Sequence, residues 1–210
     1  FDLRRANPRG TLLSLKKYPL ITGLLVCIVL FNIAQHSTHS TWTFFTIEKF
    51  GWTEKLVGYS LGFIGLLAAI VQGGLIRIII PKFGNIKSVY LGMFFYIIGL
   101  FLFSIANEGW MVFAFAIPLS LGGISGPALQ GIMTNKIPDD EQGEFQGGMT
   151  SLVSLTAIIG PILMTNLFSF FTSNESSIYF PGAPFVLAAI LSVFGLIIAI
   201  KTLSGSKVRY

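Results

Sequence analysis

The sequence predicts an all-α membrane protein of six transmembrane helices, and three observations carry that reading. Of its 210 residues, 53% are hydrophobic and only 11% charged. A soluble domain carries about a quarter of its residues as charges, so a soluble core of this size would lack a polar cover. The charges also punctuate the chain. Lys17 to Glu48 encloses 30 uncharged residues, Lys55 to Arg77 21 and Lys87 to Glu108 20. Glu108 to Lys136 encloses 27, Glu144 to Glu175 30 and Glu175 to Lys201 25. Each run reaches the about 20 apolar residues that a spanning helix needs. Finally, six crossings put both termini on one side, with every one of the 14 Lys and Arg residues except Lys49 and Lys55. The side rich in basic residues is cytoplasmic.

Taken in order, residues 1–17 read as the end of a cytoplasmic linker. The chain opens at Phe1 in the soluble "FDLRRANPRG", which reads as part of a longer protein. The six-helix domain covers 18–203, with spans near 18–47, 56–80, 88–106, 110–135, 143–171 and 183–203. Residues 204–210 form a cytoplasmic tail. Trp52, Trp110 and Tyr179 fall in the external loops, at interface depth. Cys27 is single and lies inside the first span, where it reads as a small apolar filler. The net charge of +5 reflects topology and contact with anionic lipids. A nucleic-acid partner would require aromatics interleaved with basic residues on one surface, and the sequence has no such stretch.

Polarity sorts the spans. Spans three and six are almost wholly apolar and belong against lipid. Spans one, two, four and five hold Asn32, Gln35, His36, His39, Gln72, Gln130, Ser154 and Asn166. Polar groups at membrane depth must face protein or a water-filled cavity, so these four helices should line something. In "NIAQHSTHSTWT", Asn32, Gln35, His36, His39 and Thr43 follow helical spacing and share one face. That face offers amides and two imidazoles, a pattern that fits a ligand cavity and also fits hydrogen bonding between helices.

The stretch "GGISGPALQGIMTNKIPDDEQGEFQGG" combines the two poorest helix formers with apolar residues. Gly122, Gly123 and Gly126, with Gly143 and Gly147 and the pair Gly58 and Gly62 in span two, permit close helix approach. Pro127, and Gly160 with Pro161 in "IIGPIL", are candidate helix kinks. Asp139, Asp140, Glu141 and Glu144 suit the positive start of span five. Enzymatic chemistry has little basis. Two histidines without nearby carboxylates fit neither a zinc hydrolase nor a nucleophile relay, and no phosphate-binding loop occurs. No metal and no cofactor is expected.

The motifs "GGISGPALQGIM", "EQGEFQG", "SLTAIIGPIL" and "FGWTEKLVGYSLGFIGLL" resemble the C-terminal half of the tetracycline/proton antiporters, in the drug-exporting branch of the major facilitator superfamily. The likeness runs from about Pro8 to Phe171. "KFGNIK", with Lys82, Gly84 and Lys87, resembles the superfamily's basic loop between the second and third helices of each half, without its leading aspartate. The resemblance implies helices seven to twelve of a twelve-helix transporter, with spans one, two, four and five around the central cavity. It implies alternating access driven by an ion gradient, with a missing N-terminal six-helix half, a small-molecule substrate and protons as partners. It further implies a multi-pass protein of the bacterial inner membrane. Where tetracycline exporters typically carry a histidine in the eighth helix and an aspartate in the ninth, this chain has Ala68 and Tyr96. His36 stands where relatives commonly have a substrate-contacting glutamine. The expected substrate-binding set is Asn32, Gln35, His36, His39, Gln72 and Gln130, with Lys82, Gly84 and Lys87 at a cytoplasmic gate. The leading function is half of a proton-coupled exporter of a small amphipathic compound. An importer of the same fold, or a six-helix scaffold or sensor, are the alternatives, and a homodimer of this half is a further expectation.

Overall fold

The computed structural model describes residues 19–173 and 176–205, and every regular element among them is helical. The expected linker at 1–17, the last five residues of the tail and Glu175 lie outside the described residues. In chain order the elements are α1 (Pro19–His39), α2 (Trp42–Phe50), α3 (Glu54–Ile70), a π-turn (Val71–Leu75) and α4 (Ile76–Ser104). There follow α5 (Gly109–Leu121), a 3₁₀ turn (Gly122–Ile124), α6 (Ser125–Thr134), a 3₁₀ turn (Asp139–Glu141), α7 (Gln142–Thr172) and α8 (Ala183–Gly205).

Five helical stretches are long and apolar enough to cross a membrane, and one of them, Glu54–Ser104, has 51 residues. At about 1.5 Å per residue it would reach roughly 75 Å if straight, more than twice the ~30 Å of a hydrocarbon core. It folds back at Gly84, whose φ of 76° and ψ of 163° are non-helical. Only glycine adopts that conformation without strain. The stretch therefore supplies two crossings, and the described residues hold six.

Span one is also interrupted. Ser40 and Thr41 form a turn between α1 and α2, and Thr41 Oγ1 donates to the Ser37 carbonyl. Gly51, in the left-handed region at φ 63°, ends α2 and donates its N–H to Ile47 O. Trp42 Nε1 then ties α2 to α3 by donating to Ser60 Oγ at 2.9 Å.

Between membrane helices, packing and hydrogen bonds replace the hydrophobic drive. Here small residues set the approaches. α1 lies chiefly against α8 and α7, and α4 lies against α8, α5 and α6. A Cβ at Gly92 would sit 2.7 Å from Ser125 N, and one at Gly99 2.7 Å from Leu119 Cα. Backbone meets backbone at both points, so neither position admits a larger residue without moving a helix. Cys27 Sγ lies 3.8 Å from Met93 Sδ in the core shared by α1, α4 and α8. Phe185 packs between Phe45, which it meets edge-to-face, and Phe103, with ring centroids at 4.8 and 5.8 Å. Outside the bundle, Tyr179 donates to Glu48 Oε1 at 2.9 Å. Burial first, and then that carboxylate, raises the phenol's pKa above its ordinary value.

The outer faces are apolar. Phe94 and Phe101 on α4, and Val193 and Phe194 on α8, are exposed. α3 and α7 expose more, including Tyr59, Leu66, Ile158 and Ile162. A Cβ at Gly58, Gly62, Gly143 or Gly147 would meet nothing within 4 Å. The small-residue surfaces of spans two and five are thus open.

Candidate functional site

A cavity of about 490 Å³ opens between α1, α2, α3, α4 and α5. α1 contributes Phe31, Gln35, Thr38 and His39, and α2 contributes Trp42 and Thr43. Leu61, Ile64 and Ala68 come from α3, Gln72 from the π-turn, Tyr96 from α4, and Leu119 and Ser120 from α5. Gly123 completes the wall from the 3₁₀ turn. Among the described residues, no Asp, Glu, Lys or Arg lines it. Ring faces and neutral hydrogen-bonding groups make up its chemistry, with the His39 imidazole among them.

Two irregular turns flank this cavity. The π-turn carries Gln72 between buried Val71 and the Gly73–Gly74 pair. The 3₁₀ turn lies beside it, since a Cβ at Gly123 would sit 3.9 Å from Val71 Cγ1. A π-turn inserts one residue into the helical register and often marks a functional site. The sequence reading missed both turns. Their signal was the doubled glycines, Gly73–Gly74 and Gly122–Gly123, inside apolar spans.

The cavity wall also carries unmet hydrogen-bonding capacity. The hydroxyls of Tyr96 and Ser120 are buried, with no hydrogen-bond partner among the described residues. A buried polar group without a partner costs about 1–3 kcal/mol.

The polar stripe of span one divides. Gln35 and His39 face the cavity with Gln72, so three of the six expected binding residues come together. His36 points the other way, against α7, where its ring covers Gly160. Ser40 Oγ lies 3.4 Å from its Nδ1, and its ring sits edge-on to His39 at 6.3 Å. Asn32 Nδ2 donates to the Ile28 carbonyl of its own helix at 2.9 Å. Gln130 is exposed on α6, off the cavity wall.

The division of labour among spans differs from expectation at two points. Span three reaches the cavity through Tyr96, because Gly122 lets α5 approach that ring; a Cβ there would sit 2.6 Å from Tyr96 Cβ. Span five, as α7, packs on α1 and adds nothing to the cavity wall. Ala68 and Tyr96, the two positions of departure from the tetracycline-exporter pattern, both line the cavity.

Of the expected kinks, Pro127 sits in the first turn of α6, where a missing N–H costs little. The interruption itself lies just before it, in the 3₁₀ turn. α7 runs on through Gly160 and Pro161. Lys82 and Lys87 are exposed on either side of Gly84. Asn85 packs over α6, its Nδ2 3.4 Å from where a Cβ at Gly131 would be. Among the described residues, no three His, Cys, Asp or Glu side chains are placed to hold a metal ion.

Comparison with known proteins gives this geometry its setting. The family model of the Major Facilitator Superfamily matches residues 3–147. The class C tetracycline resistance protein of Escherichia coli is 30% identical over 167 residues, covering 80% of this chain and 42% of the relative. The class E protein of Escherichia coli is 36% identical over 71% of this chain and 37% of its own length. The class B protein of the same organism is 36% identical over 62% and 32%. The chain thus spans about two fifths or less of the length of these relatives. With six crossings, a cavity walled by four of them, and matches that cover most of its length, this chain belongs to the Major Facilitator Superfamily of membrane transporters.

Proposed function

We propose that this chain supplies the six helices of the C-terminal half of a proton-coupled exporter, which moves small amphipathic compounds by alternating access. The observation that carries this reading is the cavity, which pairs aromatic and aliphatic walls with Gln35, His39, Gln72, Tyr96 and Ser120. Such a surface suits a partly apolar molecule with several hydrogen-bonding groups and no need of a fixed counter-charge. The tetracycline resistance proteins it resembles support drug export as the class of transport. Since no acidic side chain among the described residues lines this half's cavity, we place the proton-carrying acid in a second six-helix half. In this reading both termini face the cytoplasm and the membrane is a bacterial inner membrane.

Two halves rocking about the cavity need a part that differs between states. We assign that role to the turn at Lys82, Gly84 and Lys87, where a sharp backbone reversal carries two exposed cations. The exposed faces of α3 and α7 are then where the second half packs. When this half stands alone, those faces pair with a second copy of it.

The test is uptake of a panel of amphipathic drugs into inverted membrane vesicles holding the full-length protein. Export coupled to protons appears as uptake that follows an imposed acidic lumen and collapses with an uncoupler. Uptake driven by the opposite gradient would indicate an importer. No gradient-dependent movement of any compound would leave a scaffold or sensor as the reading.

A further inference from the structure

A second hollow lies on the outer face of the bundle, sharing no residue with the cavity. It measures about 520 Å³ and is walled by Lys87, Tyr90, Leu91 and Phe94 of α4 and by Leu196 and Ile200 of α8. Lys87, Leu91 and Phe94 follow i, i+4, i+7, and Leu196 and Ile200 follow i, i+4. Each helix therefore turns one continuous strip toward the groove. Its floor is where the two helices touch, with Gly195 against Met93; a Cβ there would sit 3.2 Å from Met93 Cε.

The two ends of this groove differ. Lys87 and Tyr90 stand just past the Gly84 turn, at the membrane end of α4, while Phe94 and Leu196 lie deeper in the span. Lys87 is exposed, and its own stretch of the chain has no acidic residue between Glu54 and Glu108. Among the described residues no ion pair engages it. A trough with apolar walls would accept any acyl chain. An exposed cation with a phenol at its mouth adds a preference that depends on the headgroup, because a lysine near the surface favours anionic over zwitterionic lipid.

We propose that this groove is a binding site for an anionic phospholipid. The headgroup phosphate lies on Lys87 Nζ with the Tyr90 hydroxyl as a second donor, and one acyl chain runs along Leu91, Phe94, Leu196 and Ile200. The lipid bridges α4 and α8 beside the Gly84 turn. The site does not depend on which compound the cavity holds, so its test needs no transport.

Native mass spectrometry of the purified full-length protein, titrated with phosphatidylglycerol or phosphatidylcholine, reads it directly. Phosphatidylglycerol should be retained at about fivefold lower concentration than phosphatidylcholine, the effect of one favourable lysine. Lys87→Gln should abolish that preference. Lys136→Gln, which removes the same charge at the same membrane end but off the groove, should keep it. Leu196→Trp, which fills the trough, should lower retention of both lipids. A preference that survives Lys87→Gln overturns the proposal. So does an equal loss in Lys136→Gln, which would mean general surface charge, and a Leu196→Trp variant that retains both lipids as wild type does.

Discussion

The imidazole of His36 lies over Gly160, so closely that a Cβ added to the glycine would overlap the ring. The contact joins α1 to α7 at the level of the polar stripe. It involves the histidine's own Cβ as well as its ring, so the side chain cannot simply swing clear. Gly160→Ala should therefore destabilise the protein by about 1–3 kcal/mol, the usual cost of overpacking a close contact. Thermal unfolding in detergent measures it. In the double variant with His36→Ala the loss should shrink, because the colliding ring is gone. A Gly160→Ala protein that melts with wild type would mean that the two helices part freely at this point.

Tyr96 is expected to behave in the opposite way. Its hydroxyl is buried with no hydrogen-bond partner among the described residues, so Tyr96→Phe removes an unmet group and leaves the ring packing on Phe31, 4.7 Å away. Stability should hold or rise by up to about 1 kcal/mol, while apparent substrate affinity falls. A marked loss of melting temperature would show that the hydroxyl is bonded in the folded protein and is not available to a ligand.

The crossings were legible because charge gaps report burial in lipid directly. The interior of the site was less so. Counting residues on one helical face put Asn32, Gln35, His36 and His39 in a single stripe. Yet Asn32 turns back to the Ile28 carbonyl and His36 turns to Gly160. A local bond from side chain to backbone, as at Asn32, and a packing contact with another helix, as at His36, leave no trace in periodicity. Nor did composition show that Tyr96, on an apolar span, would reach the cavity. That reach depends on Gly122 in another helix, a tertiary coincidence outside any local window. Gly84 was singled out as part of a loop motif, but its left-handed φ is what turns one 51-residue stretch into two crossings.

The Gly84 turn should control the balance between transport states. Gly84→Ala imposes backbone strain of about 1–3 kcal/mol at φ 76°, and Lys82→Ala removes an exposed charge at the same place. Both should change the rate at which a thiol reagent reaches Asn107→Cys, at the opposite end of α4, in a full-length Cys27→Ser background. If the labelling rate is the same in all three proteins, the lysines serve only as positive-inside anchors.

The isolated chain should pair with itself in bilayers. Ser154 lies on the exposed face of α7 beside Leu155 and Ile158, and a symmetric pair hides that patch on both copies. Ser154→Cys in a Cys27→Ser background should form a disulfide-linked dimer on mild oxidation. Co-expression of a second six-helix half should suppress it. A chain that stays monomeric in the bilayer would rule out this pairing.

The central claim is that substrate sits in the cavity between α1, α3, α4 and α5, and the KM of transport by the full-length protein tests it most directly. Gln35→Ala and Gln72→Ala each remove a neutral hydrogen-bonding group from the wall, worth about 0.5–1.5 kcal/mol. Each should raise KM roughly two- to tenfold, with membrane insertion unchanged. Wild-type KM in both variants, with a raised KM in Asn32→Ala and His36→Ala instead, would place the substrate on the other side of α1 and contradict the account.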